Sequence, residues 1–202
     1  MFRYDVENHK GYVGDKLIPS ITQLLAIMFP MGEIPADRLE RAASRGTNVH
    51  SDIELFNKGI KEHCETKEGK NFEILANAYG LKPYDSEQQI LLTDDDGQII
   101  AYGTLDEIFK IAKDTNFAKK GELVLGDYKT VAQFDNEKVE WQVNFYALGY
   151  EELNNVKIDK VCGIWLRDET KQIRALNKLD KQVVKNKLYE LVAEWNKKNE
   201  ME

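Results

Sequence analysis

The sequence predicts an α/β domain: a central mixed β-sheet flanked by helices. Three observations carry this. Two β-rich runs, Ile99-Ile100-Ala101-Tyr102 and Glu122-Leu123-Val124-Leu125, stand near the middle of the chain. The second is apolar on both faces before Gly126, as a strand covered on both sides must be. Segments of helical period lie on either side of these runs, with no internal repeat or low-complexity stretch between them.

In chain order, residues 2 to 18 read as a short hairpin turning around Asn8-His9-Lys10-Gly11. Ser20 and Gln23 have the spacing of a capping box, so a helix starts there and runs towards Phe29. The stretch from Pro30 to Pro35 breaks it. A second helix is predicted from about 36 to about 58, where Leu39, Ala43, Gly46, His50 and Ile53 step by 4, 3, 4 and 3 along one face. Gly46 costs such a helix about 1 kcal/mol relative to alanine, which points to close approach of another backbone or of a substrate. Residues 58 to 71, dense in Lys, Glu and Gly, read as a solvated loop. Phe72, Leu75, Ala76 and Tyr79 mark a short amphipathic helix ended by Gly80 and then Pro83.

Strands are predicted at about 87–93 and 98–111. In Thr93-Asp94-Asp95-Asp96-Gly97 between them, Asp-Gly signals a hairpin turn rather than part of a calcium loop. A polar connection over 114–121 leads into the strand that reaches Lys129. Residues 137–153 read as a helix, and 161–166 with 172–176 as a further hairpin. Asp180 caps a last helix packed through Val184, Leu188, Leu191 and Trp195.

The bulk numbers bound the answer. A chain of 202 residues suits one domain with a full core. Its 42% hydrophobic and 31% charged content are ordinary for a soluble globular protein. No apolar run approaches the roughly 18 residues of a membrane span. Met1-Phe2-Arg3-Tyr4-Asp5 lacks the apolar stretch of a signal peptide. Two cysteines without an export signal predict a cytoplasmic location. No Gly-x-x-x-x-Gly-Lys-Ser/Thr loop is present, so a nucleotide-driven helicase is excluded.

The chemistry concentrates in two motifs. Gly103-Thr104-Leu105-Asp106 is followed by Gly126-Asp127-Tyr128-Lys129-Thr130, each after a β-rich run. Strand side chains alternate, so Asp127 and Lys129 share a face. If the two strands pair, Asp106 joins them, giving two acids and an amine over one small volume. Two carboxylates hold a hard divalent cation, and a lysine beside it orients a water or stabilises a phosphate. That is equipment for hydrolysing a phosphodiester. His50, alone on an apolar stripe, reads first as a core residue. Gln142 and Tyr146, four apart on one helical face, read first as packing.

This acid, then acid-x-Lys pattern resembles the PD-(D/E)XK nuclease superfamily, and its RecB-type and phage-recombination exonucleases in particular. Four further elements of that group have counterparts here. They are Gly46-Thr47-Asn48-Val49-His50, Glu87 in Ser86-Glu87-Gln88-Gln89-Ile90, Gln142-Val143-Asn144-Phe145-Tyr146 and the opening Leu17-Ile18-Pro19-Ser20-Ile21-Thr22. The likeness spans roughly residues 12 to 176. Leu105 stands where the superfamily's name has proline. The four cysteines that hold an iron–sulfur cluster in some relatives are missing, since only Cys64 and Cys162 exist, so no cluster is expected.

The resemblance implies a restriction-endonuclease-like core and a single nuclease domain over residues 1–202, with embellishments at about 1–80 and about 180–202. It implies Mg2+ or Mn2+ held by His50, Asp106, Asp127 and the carbonyl of Tyr128, with Glu87 also catalytic. Beside two acids an ammonium is favoured, so Lys129 is expected to stabilise charge on the scissile phosphate rather than act as a simple base. Gln142, Tyr146, Thr130 and Arg45 are expected to support the site or touch DNA; Arg38 and Arg41 share Arg45's stripe, which reads equally as a phosphate contact or as a solvated face with Asp37 and Glu40. DNA is the implied partner, with a single-strand annealing protein or a helicase as a second chain. The net charge of −7 is awkward for such a protein, and calls for a local basic groove on an acidic surface or a helping partner. An endonuclease of the same superfamily, or a non-catalytic DNA-binding module on the same fold, are the alternatives.

Overall fold

Short strand segments separated by turn residues give the N-terminus a small antiparallel sheet of β1 (Phe2–Asp5), β2 (Lys10–Val13) and β3 (Lys16–Ile18). The hairpin expected over residues 2–18 thus has a third strand, because Gly14 adopts φ 60° and makes a second turn. The computed structural model describes residues 1–5, 8–30, 32 and 34–199. The Ser20–Gln23 capping box is formed in both directions and starts α1 (Ile21–Met28). Helix α2 (Ala36–Asn57) follows.

Helix α3 (Lys67–Tyr79) begins inside the stretch expected to be a solvated loop. The Asp52 carboxylate explains this. It accepts from the backbone N–H of Glu65 at 2.9 Å, from that of Thr66 at 2.8 Å and from the Thr66 hydroxyl at 2.7 Å. Thr66 Oγ1 in turn accepts from Gly69 N–H at 3.0 Å, capping the helix. A charged composition marked solvent, and a buried carboxylate instead organised it.

Gly80, at φ 65°, ends α3 and turns the chain into β4 (Leu81–Ser86), a strand that Pro83 had masked in the sequence. Then come β5 (Gln89–Thr93), β6 (Ile99–Thr104) and β7 (Glu107–Ile111). The strand expected over 98–111 is therefore two strands in two sheets, interrupted at Leu105-Asp106. There Leu105 N–H donates to Gln88 O at 3.0 Å while its side chain is buried, which turns the chain out of the β5–β6 ribbon. The Asp94–Gly97 turn closes that ribbon, with Gly97 at φ 76°.

The remaining elements are β8 (Leu123–Lys129), α4 (Asn136–Asn154), β9 (Lys160–Arg167), β10 (Thr170–Leu176) and α5 (Lys181–Asn199). The main sheet is mixed, in the order β10-β9-β8-β7-β4. β7 pairs antiparallel with β8, and β8 pairs parallel with β9 through the α4 crossover. Asp180 accepts from Gln182 N–H at 2.9 Å and caps α5, which buries Val184, Leu188, Leu191 and Trp195.

Alternation along the strands divides the core in two. Leu125, Ile108 and Val161 pack on one face with α1, α4 and α5. Val124, Phe109 and Cys162 pack on the other with residues of α2 and α3. The fold is thus α/β, a mixed sheet flanked by helices. Among the described residues, no helix is long and apolar enough to cross a membrane.

Candidate functional site

At the C-terminal end of β8, pleat alternation separates neighbouring side chains. Tyr128 goes to the α2–α3 face, where its ring meets Phe72 and His50 at centroid distances of 5.3 and 5.5 Å. Asp127 and Lys129 go to the α4 face and are ion-paired with each other. Lys129 Nζ donates to Gln142 Oε1 at 3.0 Å, and Gln142 Nε2 donates to the Tyr146 hydroxyl at 3.0 Å. A chain of hydrogen bonds from α4 therefore fixes the ammonium. Gly103 makes room for it: a Cβ there would lie 2.8 Å from the Tyr146 ring.

Asp106 occupies the break between β6 and β7, just ahead of the Glu107–Gly126 pairing. Its Oδ2 accepts from Tyr128 N–H at 2.7 Å, and its Oδ1 lies 3.5 Å from His50 Nδ1. The other His50 nitrogen, Nε2, lies 3.2 Å from the Tyr128 carbonyl. Glu87, held at φ 50° between β4 and β5, donates its backbone N–H to Asp106 O at 2.9 Å. One ligand atom each from His50, Glu87 and Asp106 lies within 4.8 Å of the other two. His50 and Glu87 line a cavity of about 450 Å3 together with Gly46, Thr47, Ser51 and Glu54.

The electrostatics follow from burial and crowding. Burial works against a charged His50, but the Asp106 carboxylate outweighs it and raises the histidine to about 9. Burial, then Asp106, pushes Glu87 up to about 7. Burial raises Asp127 as well, against the pull of Lys129. Asp106 goes the other way: burial is overcome by His50, which holds its carboxyl below the usual range. Apart from the Lys129 ion pair, Asp127 Oδ2 is buried without a hydrogen-bond donor. Two carboxylates and an imidazole converging beside such an oxygen form a donor set that suits a hard divalent cation.

The structure thus brings His50, Glu87 and Asp106 together, with the Tyr128 carbonyl against His50. Asp127 stands beside them, turned towards Lys129. Thr130 contributes its carbonyl to Arg167 Nη1 at 3.1 Å. Arg45 Nη1 lies 3.7 Å from both Glu68 and Asp168. Gly46 makes no close backbone contact, since a Cβ there would meet only Thr130 Oγ1 at 3.8 Å.

One neighbour was missed by sequence reasoning. Glu107 is 1% exposed and accepts from Ser86 Oγ at 2.8 Å and from Asn57 Nδ2 at 2.9 Å. Asn57 also reaches the Tyr128 hydroxyl at 3.3 Å. Burial raises Glu107 to about 8. The signal was present: Glu107, Phe109 and Ile111 alternate on one face, so a core position for the last two implied one for the first.

No protein-family model and no curated protein matches the chain. Among solved structures it is similar to the crystal structure of SSO0001, with 12% identity and a TM-score of 0.40, over 85% of this chain and 82% of that one.

Proposed function

We propose that this chain is a metal-dependent deoxyribonuclease of the PD-(D/E)XK type, an exonuclease that hydrolyses phosphodiester bonds from DNA ends in phage-type recombination or DNA processing. The observation that carries this reading is the convergence of His50, Glu87 and Asp106 from three separate elements, next to an Asp127–Lys129 pair at the end of the middle strand. A structural ion pair needs two groups. Three cation ligands and a clamped ammonium are more than packing requires.

His50, Glu87 and Asp106 would hold Mg2+ or Mn2+, with Asp127 and the Tyr128 carbonyl adjoining. When bound, such a cation supplies polarisation of a water and charge neutralisation at the phosphate. Lys129 stabilises the charge that builds on the scissile phosphate, and its hydrogen bond to Gln142 fixes it in place before the reaction, so little reorganisation is needed. Tyr146 orients Gln142. His50 is held against Asp106 in its protonated form and must lose that proton to become a ligand. Unwinding, where a duplex demands it, falls to another chain such as a helicase, and a single-strand annealing protein is the natural recipient of the product.

The test is digestion of end-labelled single- and double-stranded DNA, and of closed circles, with magnesium, manganese or chelator. Loss of linear DNA from its ends only, abolished by chelator, supports the reading. Cut circles indicate an endonuclease on the same site. DNA binding without cleavage under any metal points to a non-catalytic module.

A further inference from the structure

Building on the nuclease reading, we propose that the first half of α2 is a phosphate track. It holds the substrate strand upstream of the acidic centre along the helix.

The chain has six arginines, and four of them, Arg38, Arg41, Arg45 and Arg167, line one cavity of about 530 Å3. Lysines outnumber arginines 22 to 6, yet every basic residue lining this cavity is an arginine. The preference has a chemical meaning. A guanidinium presents a planar fork that matches two phosphate oxygens at once and gives up its hydration more readily than an ammonium. Among the described residues no acid lines the cavity; the other walls are Ala42 and residues 130–132.

Acids do lie behind it. Arg41 is paired with Asp37, Arg167 Nε donates to Asp168 at 3.0 Å, and Arg45 is 3.7 Å from Glu68 and Asp168. These contacts hold the side chains without filling their donor capacity. Arg45 Nη1 is buried with no hydrogen-bond partner, and Arg38 has no ion-pair partner among the described residues. A molecule of net charge −7 repels a polyanion in general, so a strand needs a place where this is locally reversed.

The spacing sets the offsets along the helix axis. Arg45, Arg41 and Arg38 precede His50 by five, nine and twelve residues on one continuous helix. At about 1.5 Å of rise per residue these are about 7, 14 and 18 Å from the centre along the helix axis. Thr130 stands between the two cavities: it lines the arginine cavity, and its Oγ1 is the atom that a Cβ on Gly46 would meet at 3.8 Å. Arg45 lines the arginine cavity and Gly46 lines the one containing His50 and Glu87. At that junction the helix presents no side chain to obstruct a strand. Thr130, next to Lys129, forms the facing wall.

The test measures DNA binding as a function of salt. A fluorescein-labelled duplex with a single-stranded tail is titrated by anisotropy, with Ca2+ replacing Mg2+ to keep it intact. In Arg38→Gln/Arg41→Gln the slope of log affinity against log salt should shrink by about 1.4–1.8, the loss of two phosphate contacts at about 0.7–0.9 each. Arg38→Lys/Arg41→Lys should restore most of the slope. Lys82→Gln/Lys110→Gln, which removes equal charge from β4 and β7, should leave it alone. The Arg41 side chain is 77% exposed, so the fold should survive, as a melting curve checks. An unchanged slope in the arginine variant, with wild-type cleavage intact, overturns the track and leaves the nuclease reading standing. A reduced slope in a protein that never cleaves keeps the track and overturns the nuclease reading. No binding by the wild type overturns the track.

Discussion

Over residues 36–48 no residue of helix α2 is fully buried, whereas over 49–57 Val49, Asp52 and Ile53 are. The two halves share one backbone and differ in what covers them. The second half lies against α3 and the sheet, where Ile53 meets no solvent and Asp52 ties down the start of α3. That packing fixes His50 and Asn57 in position towards Asp106 and Glu107. The first half has Arg38, Arg41 and Leu39 open to solvent. Charged groups there escape the desolvation cost that burial would impose, so they are available to a ligand. On the proposed reading, the packed half positions the centre and the open half meets the substrate.

The largest expected effects separate the halves by stability. Ile53→Ala should cost about 2–5 kcal/mol, the range for truncating a fully buried aliphatic. Leu39→Ala, at a position 49% exposed, should stay within about 0.5 kcal/mol. Urea unfolding of both checks this. Equal losses would mean that the first half is covered in solution.

A comparable effect, read in rate, is expected at the centre. Lys129→Ala should slow single-turnover cleavage by about 100-fold or more, the scale of losing one preorganised electrostatic group, while metal affinity by calorimetry changes little. A fully active variant would sink the mechanism. Asp106→Ala should instead weaken the calorimetric metal binding itself. Unchanged binding in that variant would place the cation elsewhere.

A smaller change should follow at His50, the first residue of α2 to reach the acidic cluster. His50→Asn should weaken manganese binding by about 10-fold or more, and slow cleavage at limiting manganese with little loss at saturation. A drop in melting temperature with the metal dependence intact would make His50 a structural partner of Asp106 only.

How legible this was depends on what each residue answers to. The capping box at Ser20, the Gly80 stop, the all-apolar β8 and the α5 face were readable because each is a local requirement of backbone or burial. The break at Leu105-Asp106 was not. A run of β-formers does not say when a strand changes sheets, and that choice is made by distant partners, Gln88 for Leu105 and Tyr128 for Asp106. The start of α3 was hidden for the same reason, since its organiser is Asp52, more than a dozen residues upstream. The grouping of Glu87 with His50 and Asp106 came from pattern likeness rather than from any spacing rule. Glu107 could have been found by alternation alone.

The smallest effect, and the one that joins the centre to stability, is the dependence of the metal-free protein on pH. His50 is raised from 6.5 to about 9, so the folded state holds a proton the unfolded chain has lost. The stability this gives is complete below about 6.5 and disappears as pH rises through 9. Glu87 and Glu107 are raised from 4.5 to about 7 and about 8, so the folded state binds extra protons there too, and stability again falls as pH rises. All three act in one direction, and metal-free melting temperature should decline from pH 5 to 9. Glu107→Gln removes one contributor without touching the cluster. It should match the wild type near pH 5 and melt a few degrees higher at pH 8, where the wild type must either bury a charge or hold a proton. Manganese should raise the wild-type melting temperature more at pH 8 than at pH 6, because fewer protons have to be displaced from His50 and Glu87. A metal-free protein that becomes more stable from pH 5 to 8 would show that these groups are not buried together, and the contrast between the two halves of α2 would lose its electrostatic basis.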